Sequence, residues 1–189
     1  AGIVSEVGKN VSRFKPGDRV MLQTNFGAFA QKAVAKEQET YRVPDNINLN
    51  QAAAVGVAFQ TAWFALTDRA QVRKGETVMV TGASGSVGLA AVQLAHTWGC
   101  RVLAGLTTPS KAGIVRKAGA DLVVDLTSSN PKEEVRNRVM DLTNGEGVDI
   151  VLDLIGGEIF SGALRCLKFR GRMVVVGFTS GNIANMKTN

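Results

Sequence analysis

Histidine and cysteine are scarce in this chain of 189 residues, which has one histidine and two cysteines. Cys100 and Cys166 lie far apart beside apolar segments, so the sequence predicts two core thiols rather than a disulfide framework or a metal cluster, and favours a reducing compartment. His96 falls late in a segment of helical periodicity. There we expect a packed or surface histidine rather than a general base.

Long apolar runs are also missing, since none approaches the ~20 residues that a helix needs to cross a bilayer. Lys and Arg number 22 against 16 Asp and Glu, for a net charge of +6, yet the basic residues are scattered and form no dense run. We therefore expect a soluble protein with a basic surface that favours anionic ligands. Nucleic acid is the less favoured partner. The cytoplasm is the expected compartment, with the mitochondrion as the alternative.

The most informative segment is the run Thr77–Thr81 followed by a glycine turn, residues 82–88, and a helical pattern. Gly85 lets the backbone approach a phosphate, and Gly88 lets the helix pack closely on its strand. The free N–H groups of the first helical turn would point at the anion. This order predicts a dinucleotide-binding turn in which Ala83 replaces the first glycine of the G-x-G-x-x-G pattern. The alternative is an α/β turn that binds no phosphate.

Strands and helices alternate regularly after this turn. We predict strands at Thr77–Thr81, Arg101–Leu106, Leu122–Asp125, Asp149–Asp153 and Arg172–Val176. We predict helices at Ser86–Trp98, Ser110–Ala118, Pro131–Thr143 and Glu158–Leu167. Nearly continuous apolar strands separated by helices indicate a parallel sheet covered on both faces, hence a doubly wound α/β fold. Its ligand crevice would lie at the carboxyl ends of the strands.

The first part of the chain reads as a β-rich module. We predict its strands at Ile3–Val4, Arg19–Leu22 and Phe29–Ala35, with the clearest turn at Lys15–Asp18. A helix capped by Asn50 should begin near Gln51, and a second should run from Phe59 to Arg69. We place the domain boundary between residues 47 and 48. Because the chain opens inside a β-rich module and stops after a strand, we expect sequence to be missing at both ends.

The end of the second sheet strand predicts which nucleotide binds. It lacks the acidic residue, ~20 positions past the glycines, that holds the adenosine ribose in NAD-binding folds. Thr107, Ser110 and Lys111 offer two hydroxyls and a cation instead, which suit the extra phosphate of NADP. The sequence thus predicts NADPH as the cofactor. The alternative for Lys111 is a solvated lysine in the first turn of a helix.

Glycines follow the fourth and fifth sheet strands, at Gly156–Gly157 and at Gly177 before Phe178. In such a sheet these ends would line the nicotinamide ribose and carboxamide, although glycines after a strand also serve as plain turns. For Asp153 we predict a structural role, as an acceptor for a backbone amide or as a helix cap.

In these motifs and in several other segments, the chain resembles the zinc-independent quinone oxidoreductase (ζ-crystallin-like) branch of the medium-chain dehydrogenase/reductase superfamily. The segments that carry the resemblance are Ala1–Gly8, Phe14–Val20, Gly27–Gln31, Gln51–Ala62, the glycine turn, Lys117–Asp121 and Gly145–Asp149. The resemblance implies that residues 1–47 are part of a GroES-like catalytic domain. Residues 48–189 would be a Rossmann NADP-binding domain without its last strand.

The resemblance also bears on zinc. Zinc-dependent relatives insert a cysteine-rich lobe after the strand that contains Val20, but here Gly27 follows within a few residues. Those relatives place a catalytic zinc cysteine where this chain has Val57. The resemblance therefore implies that no metal binds.

Without zinc to polarise a carbonyl, hydride must go to an acceptor that is already electrophilic. The resemblance implies NADPH-dependent reduction of quinones or α,β-unsaturated carbonyls, by a protein that forms a homodimer at full length. By motif match the cofactor-binding residues would be Thr61, Gly85, Ser86, Val87, Gly88, Thr107, Lys111, Gly177 and Phe178. No catalytic side chain is assigned. Two alternatives stay open: a non-catalytic NADPH-binding structural or RNA-binding protein of the ζ-crystallin type, and an enoyl-thioester reductase.

Overall fold

The computed structural model describes residues 1–183 and 185–186. The chain divides into two compact units, of which the first is Ala1–Ala58 and the second begins at Phe59. This division falls inside a helix rather than between residues 47 and 48. The domain boundary inferred from the sequence stays a prediction.

The first unit contains a three-stranded antiparallel sheet in the order β1 (Gly2–Ile3), β2 (Arg19–Leu22) and β3 (Thr40–Arg42). The predicted strand at Phe29–Ala35 is wrong, because the structure assigns no strand between Leu22 and Thr40. Phe29 and Val34 are almost fully exposed. A strand needs a paired neighbour and an apolar surface to cover, and this segment packs on neither.

The helix α1 runs without a break over Leu49–Phe64 and continues into a π-helical turn, Ala65–Arg69. The prediction of two separate helices with Asn50 as the cap is therefore wrong. Asn48 is the cap instead: its Oδ1 accepts a hydrogen bond from the Gln51 N–H at 2.8 Å, and Gln51 Oε1 accepts one from the Asn48 N–H at 3.2 Å. This reciprocal capping box satisfies two N–H groups at once, whereas Asn50 already lies inside the helix.

The second unit contains a five-stranded parallel sheet in the order β6-β5-β4-β7-β8. Its strands are β4 (Thr77–Thr81), β5 (Arg101–Leu106), β6 (Leu122–Asp125), β7 (Val148–Asp153) and β8 (Leu167–Val175). Its helices are α2 (Ser86–Thr97), α3 (Ala112–Lys117), α4 (Pro131–Leu142) and α5 (Gly157–Leu164). The predicted α/β fold with a doubly wound parallel sheet is confirmed. The strand order reverses between β4 and β7, which is where such sheets open a ligand crevice.

Three predicted elements of this unit differ in extent by several residues. The strand β8 begins at Leu167, five residues before the predicted start at Arg172, and α5 is correspondingly shorter. Arg170 has a φ of 65°, and the β7–β8 register shifts between Val148 and Ile150, so an irregular stretch of pairing brings the chain into the sheet earlier than the apolar pattern indicates. The predicted helix from Ser110 is a 3₁₀ turn, Pro109–Lys111, followed by α3.

One part of the core of the second unit lies where β4 and β7 meet α4 and α5. Met79 of β4 and Val151 of β7 are fully buried and pack in one cluster with Val139 of α4. Cys100 and Cys166 are buried free thiols, as the sequence predicts. Because the interior of the sheet is filled by apolar side chains, only the ends of the strands can present polar groups to a ligand. No helix among residues 1–183 and 185–186 is long and apolar enough to cross a membrane.

Candidate functional site

The glycine turn, residues 82–88, carries the chain from β4 into α2. Gly82 follows the strand with a φ of 66°, a conformation that favours glycine because it has no Cβ. The Gly85 N–H donates to Gly82 O at 3.0 Å, and the Ala83 N–H donates to Gly105 O of β5 at 3.1 Å. These backbone hydrogen bonds hold the turn against the carboxyl ends of the two strands.

The amino end of α2 has unused hydrogen-bond donors. Its cap residue, Gly85, offers no side-chain hydrogen bond, and the first N–H of the helix that meets a backbone acceptor is that of Leu89, which donates to Gly85 O at 2.8 Å. The N–H groups of Ser86, Val87 and Gly88 have no acceptor in the described part of the chain. Free N–H groups and the positive end of the helix dipole together favour an anion at this position.

Gly88 and Gly85 serve different purposes in the turn. Gly88 is buried, and a Cβ at this position would lie 2.4 Å from Gly82 O and 2.7 Å from Ala83 Cα, so any side chain would push α2 off the turn. Gly85 is exposed, and its Cβ would lie 3.4 Å from Gly82 O. The helix can approach the strand closely while the outer face stays open, which fits the pyrophosphate of a dinucleotide.

The segment after β5 presents polar side chains at the same edge of the sheet. Thr107, Ser110 and Lys111 are all exposed, and the Lys111 N–H closes a 3₁₀ turn by donating to Thr108 O at 3.0 Å. Among the described residues, none of these three side chains has a hydrogen-bond or ion-pair partner. Two hydroxyls and one ammonium group are therefore available to an added phosphate.

The carboxyl end of β7 is organised by Asp153, whose side chain is fully buried. Its Oδ1 accepts a hydrogen bond from Thr81 Oγ1 at 2.5 Å, and its Oδ2 accepts one from the Gly156 N–H at 3.0 Å. Asp153 thus binds a backbone amide, one of the structural roles that the sequence predicts for it.

The strand-end loop, residues 176–182 after β8, is hydrogen-bonded to the chain that follows β7. Ser180 N–H donates to Ile155 O at 3.0 Å, and Gly157 N–H donates to Asn182 O at 3.2 Å. Gly156 has a φ of 78°, and a Cβ there would lie 2.6 Å from Asn182 O. The loop and the Gly156–Gly157 turn are consequently a single packed unit.

An apolar cavity of about 260 Å³ opens beside this packed unit. Phe160, Met173, Phe178 and Ile183 contribute to its wall, and Phe178 is about half exposed. Gly177 and Phe178 therefore line an apolar cavity at the carboxyl ends of the strands.

The predicted site residues are only partly brought together. The glycine turn, the segment after β5 and the strand-end loop all lie at the carboxyl ends of the parallel strands. Thr61 lies in α1, half-buried, and the described hydrogen bonds do not join it to these three segments. The cofactor-binding roles of the residues named from the sequence stay predictions.

Sequence reasoning missed Thr81. The only signal was a hydroxyl at the last position of an otherwise apolar strand, and its partner Asp153 is 72 residues away. His96 is exposed near the carboxyl end of α2, the end of the helix that points away from the site.

Among the described residues, no group of three or more His, Cys, Asp or Glu side chains is arranged to hold a metal ion. The backbone of the glycine turn, by contrast, fits the phosphates of a dinucleotide.

Two family models match the chain. Residues 86–189 match the zinc-binding dehydrogenase family, and residues 1–45 match the alcohol dehydrogenase GroES-like domain. The second match covers most of the β-rich module, and the first begins at the amino end of α2.

Known proteins resemble this chain over nearly all of its length. Quinone oxidoreductase-like protein 2 of Rattus norvegicus is 36% identical over 190 residues, which are 100% of this chain and 53% of the relative. Quinone oxidoreductase of Homo sapiens is 36% identical over 178 residues, 94% of this chain and 53% of the relative. The crystal structure of Escherichia coli quinone oxidoreductase complexed with NADPH superposes with a TM-score of 0.85 at 32% identity, covering 98% of this chain and 56% of that one.

The chain spans about half the length of the curated relatives it matches. Within that span, the matches and the geometry of the glycine turn agree. The chain therefore belongs to the zinc-binding dehydrogenase family of the medium-chain dehydrogenase/reductase superfamily, in its zinc-independent, quinone oxidoreductase-like branch.

Proposed function

We propose that the protein is an NADPH-dependent oxidoreductase that transfers a hydride to a quinone or an α,β-unsaturated carbonyl. The observation that carries the proposal is the amino end of α2, where three backbone N–H groups lack acceptors among the described residues and Gly88 packs the helix against the turn. The solved relative with NADPH bound supports the choice of nucleotide.

The phosphates would be held by two neighbouring groups of donors. The N–H groups of Ser86, Val87 and Gly88 would bind the pyrophosphate, while Thr107 and Lys111 would bind the 2′-phosphate. Hydrogen bonds from charged donors to phosphate are about twice as strong as neutral ones. Lys111 is thus the residue from which we expect most of the preference for NADPH over NADH.

The nicotinamide half would lie against the strand-end loop. Gly177 lets the backbone approach the ring, Phe178 offers an apolar surface that excludes water, and Thr61 would contact the carboxamide side. NADPH, when bound, supplies the hydride. The chain's own residues bind the cofactor, orient it and shield it.

The acceptor class rests on the sequence, in which Val57 stands where zinc-dependent relatives have a ligand cysteine. Without a Lewis acid to polarise the acceptor, the acceptor must already be electrophilic. Quinones and enones meet this demand, and the names of the relatives agree with it.

We also infer that the full-length protein is a cytoplasmic homodimer that does not bind nucleic acid. This inference rests on the family resemblance and on the scattered basic residues. Sedimentation of the purified protein tests the homodimer, retention on single-stranded RNA at low and high salt tests nucleic-acid binding, and cell fractionation tests the compartment.

The function is tested by titrating the full-length protein with NADPH and, separately, with NADH while nicotinamide fluorescence is followed. We expect NADPH to bind at least about tenfold more tightly, or about 1.4 kcal/mol. Addition of 1,4-benzoquinone should then accelerate NADPH oxidation, and a parallel sample with an enoyl thioester tests the other reductase class. Absence of nucleotide binding would contradict the proposal. Binding without oxidation by any acceptor would favour the non-catalytic alternative.

A further inference from the structure

Asp153 ends β7 with a carboxyl group that is fully buried. The group accepts three hydrogen bonds: from Thr81 Oγ1 at 2.5 Å, from the Gly156 N–H at 3.0 Å and from the Ile155 N–H at 3.4 Å. Among the described residues it has no cationic partner within ion-pair distance. Burial of a polar group is costly unless it is hydrogen-bonded, so these three donors determine where the carboxyl group lies.

Thr81 connects Asp153 to the glycine turn. It is the last residue of β4 and directly precedes Gly82. Its hydroxyl donates to Asp153 and accepts a hydrogen bond from the Leu154 N–H at 3.1 Å. One hydroxyl thereby joins the carboxyl ends of the two central strands, at the point where the strand order reverses.

The backbone of Asp153 reaches the third element of the site. Its carbonyl oxygen accepts hydrogen bonds from the Val176 N–H at 2.8 Å and from the Gly177 N–H at 3.3 Å. Asp153 therefore contacts β4 through its side chain and the strand-end loop through its main chain. The proposed function assigns the pyrophosphate to the glycine turn that follows β4, and the nicotinamide to the strand-end loop.

We propose that Asp153, acting with Thr81, is a positioning residue for hydride transfer. The pair sets the distance between the glycine turn, which holds the pyrophosphate, and the strand-end loop, which holds the nicotinamide. The proposal rests on the proposed function. Misplacement of reacting groups by about 1 Å can slow a reaction about 100-fold, so a loosened pair should slow hydride transfer more than it weakens cofactor binding.

A matched control lies on the same strand. Asp149 is four residues earlier in β7, and its Oδ2 accepts a hydrogen bond from the Thr77 N–H at the start of β4 at 2.7 Å. It also lies 3.4 Å from Lys168 Nζ. Asp149 thus joins the same two strands as Asp153 but at their amino ends, away from the site.

The experiment compares Asp153→Asn, Thr81→Val, Thr81→Ser and Asp149→Asn with the wild type, all as full-length protein. For each we would measure the melting temperature, the Kd of NADPH by nicotinamide fluorescence, the single-turnover rate of NADPH oxidation by 1,4-benzoquinone, and the isotope effect with 4-deuterated NADPH.

We expect Asp153→Asn and Thr81→Val to slow the single turnover about tenfold or more, with a Kd within about threefold of the wild type. In these two variants the single turnover should be slower with 4-deuterated NADPH than with NADPH, because hydride transfer limits the rate. Thr81→Ser keeps the hydroxyl and should have a single-turnover rate close to that of the wild type. Asp149→Asn should lower the melting temperature without changing the rate.

Wild-type single-turnover rates in both Asp153→Asn and Thr81→Val would overturn the proposal, as would an equal loss of rate in Asp149→Asn. Should Asp153→Asn fail to fold, the comparison of Thr81→Val with Thr81→Ser decides, because valine keeps the shape of threonine without its hydroxyl, whereas serine keeps the hydroxyl without the methyl group. A wild-type protein that does not bind NADPH would instead overturn the proposed function, and this failure appears before any variant is compared.

Discussion

Arg172 and Glu76 form a two-pronged ion pair in which Nη1 lies 2.9 Å from Oε1 and Nη2 lies 2.7 Å from Oε2. The pair joins β8 to the residue before β4, and Arg172 Nε also donates to Ala70 O at 2.8 Å. Both side chains are less than one-third exposed. The guanidinium group therefore connects β8 to two points, Ala70 and Glu76, of the segment that leads into β4.

Replacing Arg172 by Met should destabilise the protein by about 1.5–3 kcal/mol at neutral pH, the range for hydrogen bonds to charged groups. Arg172→Lys should recover only part of this, because an ammonium group cannot bind both carboxylate oxygens and Ala70 O in the same geometry. Urea unfolding of the wild type and both variants measures the difference. Equal stability of all three proteins would show that the ion pair contributes nothing.

The same ion pair predicts a pH dependence. The hydrogen bond from Arg172 is the largest influence that holds the pKa of Glu76 below its usual value. A carboxyl group whose pKa is depressed in the folded state contributes stability above its unfolded-state pKa and loses it as the pH falls through the folded-state pKa. The difference in the free energy of unfolding between wild type and Arg172→Met should therefore be largest above the ordinary glutamate pKa of about 4.3, and it should disappear in more acidic solution. A difference that stays constant into acid would contradict this.

Gly88→Ala should weaken NADPH binding at least about tenfold and destabilise the protein by about 1–3 kcal/mol, the usual cost of overpacking. The reason is that a Cβ at residue 88 would lie 2.4 Å from Gly82 O. The control is Gly113→Ala in α3, where a Cβ would meet nothing within 4 Å and where alanine is the better helix former. Fluorescence titration and thermal unfolding of both variants test the prediction, which fails if the two variants behave alike.

Lys111→Ala should reduce the affinity for NADPH about tenfold, or about 1.4 kcal/mol, and leave the affinity for NADH unchanged. Loss of the ammonium group removes a charge partner only from the 2′-phosphate, which NADH lacks. Lys117→Ala is the matched control, since Lys117 is also an exposed lysine of the same region but lies at the far end of α3. Equal losses for NADPH and NADH would show that Lys111 acts elsewhere.

The two cysteines should resist alkylation in the native protein. Burial raises the pKa of the Cys166 thiol to about 12, and burial also raises the pKa of Cys100. Because the thiolate is the reactive form, iodoacetamide at neutral pH should modify neither residue until urea unfolds the chain. Peptide mapping before and after unfolding checks this at each cysteine. Rapid native modification of Cys166 would contradict its burial.

Elements with strong local signals were predictable from the sequence. The strands Thr77–Thr81, Arg101–Leu106 and Leu122–Asp125 have the predicted bounds, because a buried parallel strand is a short apolar run bounded by turn residues. The glycine turn was equally predictable, since Gly82 and Gly88 lack a Cβ whatever the rest of the chain does.

Contacts that depend on distant partners were not predictable. The segment Phe29–Ala35 has the composition of a strand but no neighbouring strand to pair with. The helix is capped by Asn48 and not by the predicted Asn50, because it is Asn48 that exchanges hydrogen bonds with Gln51.

The sequence by itself thus determined the fold class and the position of the phosphate-binding turn, because periodicity and glycine act over a few residues. The tertiary structure alone decided which polar groups meet at the strand ends. Thr81 and Asp153 are 72 residues apart and become hydrogen-bonded partners only when β4 and β7 lie side by side in the sheet.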